Sequence, residues 1–144
     1  MFFDAQKGVL FLIENANEEL VISSYTRAEA LADKVLYDVT ATAREAGFKV
    51  PVAVTAAVYH EVIDPPMLFC MPGQDVAGRL WDVLWMARME AGTHPNDFQF
   101  SFPVSVQTIN AKGVGVQKTV FLKATIGPGD AGEPVVTIMW PNED

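Results

Sequence analysis

The chain has one cysteine, Cys70, among its 144 residues. A single thiol cannot form an intramolecular disulfide and cannot build a zinc site of the paired-cysteine kind. The two histidines, His60 and His94, are not at ligand spacing from each other. A reducing compartment fits this composition, and no residue is assigned a catalytic, cofactor-binding or metal-binding role.

Long hydrophobic runs and an excess of positive charge are also missing. The longest early apolar run, Gly8 to Ile13, is too short to span a bilayer, and Asp4 precedes it where a secretory signal would carry positive charge. Ten Lys and Arg oppose eighteen Asp and Glu, for a net charge of −8. This balance argues against binding to a phosphate backbone. We expect a cytoplasmic protein that binds neither a membrane nor nucleic acid directly.

Half of the residues are hydrophobic and 19% are charged, which is a globular composition. A chain of this length can bury a core without disulfides or metals. No repeat, low-complexity tract or linker divides it. We therefore predict one domain over residues 23–144, with residues 1–22 as an N-terminal arm or an extra strand.

Local signals predict short helices in the first half of this domain. Thr26 and Glu29 have the spacing of a capping box, which favours a short helix to about Ala32. Asp38 or Thr40 can cap a second helix over 41–46. Gly47 is predicted to end it in the left-handed conformation, and a third helix is expected over about 55–63, before two prolines.

The segment from Gly73 to Met89 is predicted to be a longer helix, ended by Gly92. It holds two of the three tryptophans and is apolar on more than one side. At about 100° per residue, one apolar stripe consists of Val76, Leu80, Val83, Leu84 and Ala87. A second stripe beside it consists of Trp81, Trp85 and Arg88. The mainly polar side consists of Asp75, Arg79, Asp82 and Met86. Either both stripes are buried, or the tryptophan stripe stays open for a partner.

Beyond this helix the hydrophobic period changes from 3.6 to 2. Alternation predicts three strands, at about 98–106, 120–126 and 136–140, and Pro103 indicates a sheet edge or a bulge. The predicted fold is therefore α+β, with N-terminal short helices and one long Trp-containing helix packed on a C-terminal three-stranded antiparallel sheet.

Candidate chemical groups have simpler explanations. His60 and Glu61 are adjacent on a helix and so point about 100° apart, which does not suit an acid–base pair. One His with one carboxylate, His94 with Asp97, is a weak metal site, and a helix end explains it. Apolar neighbours of Cys70 favour packing over reactivity.

Two other motifs also favour structure over chemistry. The glycine-rich loop over 127–134 lacks the Lys-Ser/Thr ending of a phosphate loop and brings two acids, so it is interpreted as a loop between strands. Asp75 and Arg79 have the four-residue spacing of a helix-surface ion pair.

Two stretches carry acidic residues without any Lys or Arg, at 50–78 and 124–144. If they share a face, it would suit a basic partner, although dispersed acids also serve as a solubilising surface. Adding aromatic anchors gives these predicted partner-binding residues: Trp81, Trp85, Tyr59, Glu61, Asp64, Asp75, Asp130 and Glu133.

Several phrases resemble an uncharacterised family of small proteins, a domain of unknown function met on bacterial plasmids, other mobile elements and phages. The likeness covers roughly residues 23–144 and rests on these phrases in order: Thr26 to Ala30, Val35 to Thr40, Ala43 to Phe48, Pro51 to Thr55, Gly73 to Asp75, Gly78 to Leu84, Leu122 to Ala124, Gly127 to Asp130 and Gly132 to Val135. The resemblance implies a mobile-element setting and supplies no catalytic residues.

Three hypotheses follow for the function. The first is a non-enzymatic acidic protein that binds a host protein with a basic surface, such as a nucleic-acid-binding defence complex, as an anti-CRISPR or anti-restriction inhibitor would. The second is a small-molecule-binding or accessory enzyme domain that uses Asp82, Arg79 or His60 in a sheet–helix cleft. The third is a homodimer that pairs through a strand edge or the tryptophan stripe.

Overall fold

The computed structural model describes residues 25–143, so the predicted arm, 1–22, lies outside the described residues. Four helices and five strands form an α+β fold in this part of the chain. In chain order the elements are α1 (Arg27–Ala32), β1 (Leu36–Asp38), α2 (Thr40–Ala46), β2 (Val52–Thr55), α3 (Ala56–Val58) with a π-helical turn (Tyr59–Ile63), a 3₁₀ turn (Leu68–Cys70), α4 (Val76–Ala91), β3 (Gln99–Ile109), β4 (Gly115–Pro128) and β5 (Pro134–Met139).

The strands form one five-stranded mixed sheet in the order β1-β2-β5-β4-β3. β2 and β5 are parallel, and the other neighbours are antiparallel. The predicted three-stranded antiparallel sheet is therefore wrong. Val52, Ala53 and Val54 are all buried, so β2 has no alternation of polar and apolar residues. Such a run cannot be told from a buried helix by its pattern, which is why no strand is predicted there and a helix is predicted from about Thr55.

Local signals in the short helices are confirmed where a side chain or a glycine defines the helix end. The capping box is present, since Glu29 N donates to Thr26 Oγ1 at 3.0 Å and Thr26 N donates to Glu29 Oε1 at 2.9 Å. Gly47 ends α2 with a φ of 110°. The third predicted helix changes to π-helical geometry at Tyr59, with Asp64 N donating to Tyr59 O at 2.7 Å.

The hydrophobic core lies between one face of the sheet and three helical elements, α2, α3 with its π-turn, and α4. Val136 and Ile138 of β5 belong to this core. Thr137 between them therefore faces the other side of the sheet, because strand side chains alternate. Its Oγ1 accepts a hydrogen bond from Arg27 Nη1 at 2.8 Å. Helix α1 thus lies against the opposite face.

No helix within residues 25–143 is both long enough and apolar enough to cross a bilayer.

Candidate functional site

Helix α4 presents an aromatic pair to solvent. Its inner side, with Val83, Leu84 and Ala87, is fully buried. On the outer side the indole rings of Trp81 and Trp85 stack, with 5.8 Å between ring centroids and 17° between planes. These residues are 36% and 43% exposed. Of the two sequence interpretations of this helix, the structure has the open stripe.

Met89 extends the same surface and was not among the predicted partner-binding residues. It is 53% exposed and lies one further helical repeat along, since residues at i, i+4 and i+8 follow one side of a helix. This spacing from Trp81 was the signal that could have identified it. We refer to Trp81, Trp85 and Met89 as the Trp face.

Charged residues around the Trp face are mainly acidic. Asp75 and Asp82 are both exposed, and Asp75 begins the helix by accepting a hydrogen bond from Gly78 N at 2.7 Å. Arg88 is half-buried, and its Nε donates to Gly47 O at 3.3 Å. The helix therefore offers the Asp82 carboxylate beside Trp85, while Arg88 is bonded to Gly47.

Arg79 differs from its predicted place on the polar side of the helix. It is 4% exposed, and instead of forming the predicted ion pair with Asp75 it donates from Nε to Val62 O at 2.7 Å and from Nη1 to Gln107 O at 2.8 Å. Burial lowers the pKa of the Arg79 guanidinium, and the nearby Asp82 carboxylate opposes that shift. Arg79 therefore joins α4 to the π-turn and to β3, which is a structural role.

The acids of the β4–β5 turn lie beside α1. The Asp130 carboxylate accepts hydrogen bonds from Arg27 N at 2.8 Å and Ala28 N at 3.0 Å, and Glu133 Oε1 accepts one from Ala131 N at 2.9 Å. Both acids line a cavity of about 330 Å³ together with Arg27. Burial lowers the pKa of the Arg27 guanidinium, and among the nearby carboxylates Asp130 opposes this shift most strongly. These acids order local backbone, so they do not extend the Trp face.

Tyr59 belongs to a separate aromatic cluster at the sheet edge. Its ring stacks on Tyr37 with 4.1 Å between centroids and 3° between planes, and Tyr37 Oη lies 3.0 Å from His60 Nε2. Glu61 and Asp64 are exposed on the same π-turn and at its end. Of the eight predicted partner-binding residues, only Trp81 and Trp85 lie on α4, and Asp75 is its N-cap.

The residues of the proposed sheet–helix cleft do not converge. Arg79 is buried among carbonyl oxygens, while Asp82 is exposed on α4 and His60 is exposed beside Tyr37. A shared catalytic or ligand-binding site needs polar groups directed at one point. These three side chains do not provide it.

The remaining candidate groups are placed as follows. The His94 ring bonds Glu90 through Nε2 at 3.1 Å and Asp97 through Nδ1 at 2.7 Å. These carboxylates contact opposite ring nitrogens, so they cannot join the ring around one ion. Within residues 25–143 no three His, Cys, Asp or Glu side chains are arranged to hold a metal.

Cys70 is exposed, so the expectation that it packs is wrong.

Comparison with known proteins gives a family and no function. The sequence model of DUF6573, a family of unknown function, matches residues 13–144. This match begins before residue 23, where the sequence predicts the domain to start. No curated protein and no solved structure is significantly similar to the chain.

Proposed function

The chain belongs to the family DUF6573, and we propose that it acts by binding another protein through the Trp face and not by catalysing a reaction. The observation that carries this proposal is the stacked, solvent-exposed pair Trp81 and Trp85. Tryptophan is enriched among the residues that dominate binding energy at protein interfaces. A contiguous exposed apolar surface commonly marks an interaction site.

Charge indicates the kind of partner. The chain has a net charge of −8, and Asp75 and Asp82 are exposed on the helix that carries the Trp face. A partner with a basic surface would be attracted to it and oriented by it. The resemblance to proteins of plasmids and phages suggests a host complex that grips nucleic acid, because such complexes present basic grooves. The proposed function is therefore inhibition or modulation of a host defence complex in the cytoplasm.

Affinity capture from host lysate tests this proposal with three tagged proteins. The unchanged chain should retain a partner at low salt and release it at high salt. Trp85→Ala should retain little of it, because truncating one central aromatic anchor costs at least about 2 kcal/mol of binding energy.

Phe121→Ala is the matched control. Phe121 is an exposed aromatic residue, at 58%, on β4 and outside the Trp face. Its truncation should leave capture unchanged, and circular dichroism should show that both variants are folded. Loss of the partner with Phe121→Ala but not with Trp85→Ala would reject the Trp face as the binding surface.

A further inference from the structure

Beside the two indoles lies a carboxylate whose described influence on the fold is electrostatic, through the nearby Arg79 guanidinium. Asp82 is exposed and precedes Trp85 by three residues, so the two side chains are neighbours on the helix surface. Asp75, in contrast, caps the helix through Gly78 N. Glu90 of α4 bonds His94, so Asp82 is the acid of this helix that is placed to serve a ligand at the Trp face.

We propose that Trp81, Trp85 and Asp82 form a binding site for an arginine side chain of the partner. A guanidinium is planar and weakly hydrated, so it can lie over an indole face while its N–H groups donate to a carboxylate. An ammonium group is more strongly hydrated and does not stack in this way. This site rests on the proposed function, because it supplies the specific contact within the proposed interface.

The chain's own cations leave this site free in the described structure. Arg88 follows Trp85 by three residues and would be the nearest competitor, but its Nε donates to Gly47 O. Arg79 is near enough to Asp82 for their charges to attract, but its guanidinium is buried and donates to Val62 O and Gln107 O. Within residues 25–143 the cation–π contact is that of Lys34 with Tyr37, with 5.6 Å from Nζ to the ring centroid, and not one at the Trp face.

Nuclear magnetic resonance of the full-length chain gives a direct test, because each tryptophan has its own indole N–H signal. The probes are three blocked tripeptides, Gly-Arg-Gly, Gly-Lys-Gly and Gly-citrulline-Gly; citrulline has nearly the shape of arginine without its charge. The arginine peptide should shift the signals of Trp81 and Trp85 in a saturable way. The lysine peptide should shift them less and the citrulline peptide least. Trp140, whose buried Nε1 has no hydrogen-bond partner within residues 25–143, is the internal reference and should not move.

Two variants separate specific pairing from general attraction to an acidic protein. Asp82→Asn should lower the affinity for the arginine peptide about fivefold at low salt, which is in the range measured for exposed ion pairs. Glu61→Gln removes the same charge from the π-turn, where Glu61 is exposed, and should leave the affinity unchanged.

The arginine site is overturned if citrulline shifts the two indole signals as much as arginine does, or if Glu61→Gln weakens binding as much as Asp82→Asn. Failure of the arginine site remains distinct from failure of the proposed function. Capture of a partner that depends on Trp85 but not on Phe121, without any response to the arginine peptide, would keep the Trp face as an interface and reject its arginine specificity.

Discussion

At the scale of single residues, Arg79 is the charged side chain on which the packing of α4 depends most. Its guanidinium donates to Val62 O, Gln107 O and Gln74 Oε1, at 2.7, 2.8 and 3.1 Å. An arginine remains protonated even when burial lowers its pKa, so these are charge-assisted hydrogen bonds. Two of them connect α4 to the π-turn and to β3, whose residues are 17 and 28 positions away in the sequence.

We predict that Arg79→Met lowers the free energy of unfolding by about 2–4 kcal/mol, because it leaves buried carbonyl oxygens without donors. Urea denaturation followed by circular dichroism measures this change. Arg44→Met, on an exposed position of α2, is the control and should change stability by less than about 0.5 kcal/mol. Equal stability of the two variants would mean that water replaces the guanidinium.

Arg79 also shows the limit of residue-level inference from the sequence. Its angular position places it on the side of α4 predicted to be polar, and its spacing from Asp75 predicts a surface ion pair. The carbonyl groups that receive it belong to the π-turn and to β3, and no helical pattern reveals them. The sequence identified Trp81 and Trp85 as neighbours but could not decide whether another element covers them, for the same reason.

At the scale of elements, the end of α4 is joined to β3 through a histidine. Glu90 and Asp97 bond opposite nitrogens of His94, and its ring stacks on Phe100 with 5.5 Å between centroids. Hydrogen bonds to Asp97 and then Glu90 raise the pKa of His94 above its ordinary value. The ring therefore links the helix end to the strand.

We predict that stability falls with rising pH in the neutral range because of this group. A pKa raised on folding means that the contribution is fully present below the unfolded histidine pKa and is lost as pH rises through the folded one. Urea unfolding from about pH 5 to pH 9, which brackets the ordinary histidine pKa, measures the loss. His94→Gln should remove this dependence and His60→Gln should keep it. The opposite pattern would contradict the assignment to His94.

Elements with local signals are predictable, and elements defined by distant contacts are not. A capping box begins α1 and a left-handed glycine ends α2, and each acts within a few residues. Alternation identifies much of β3 and β4 because one side of these strands is buried and the other is exposed. β1 is three residues long, and β2 is buried nearly throughout, so their pairing depends on partners elsewhere. β2 comes from the first half of the chain and pairs with β5 in parallel. The alternation in the C-terminal strands therefore could not show that the sheet continues beyond β5.

At the scale of the whole molecule, the long free edge of the sheet is β3, and its geometry bears on self-association. Phe98 O accepts from Ile126 N, and Asn110 N donates to Val114 O, so the even-numbered backbone groups face β4. The odd-numbered groups face outward. Pro103 lacks an N–H in this outward row, and Gln107 O is bonded to Arg79. The outward row is therefore interrupted at Pro103 and at Gln107, and we expect a monomer at micromolar concentration.

Restoring one backbone donor should expose that edge to pairing. We predict that Pro103→Thr forms dimers or larger species at concentrations where the unchanged chain is monomeric, because the added N–H completes the outward row of donors and an unpaired strand edge templates association. Analytical ultracentrifugation over a dilution series measures the change. Ser105→Thr is the control, since it places the same side chain in the same outward row without adding an N–H. If Pro103→Thr stays as monomeric as Ser105→Thr, the missing N–H of Pro103 is not what prevents association through this edge. The hydrogen bond from Arg79 to Gln107 O is then the next contact to test.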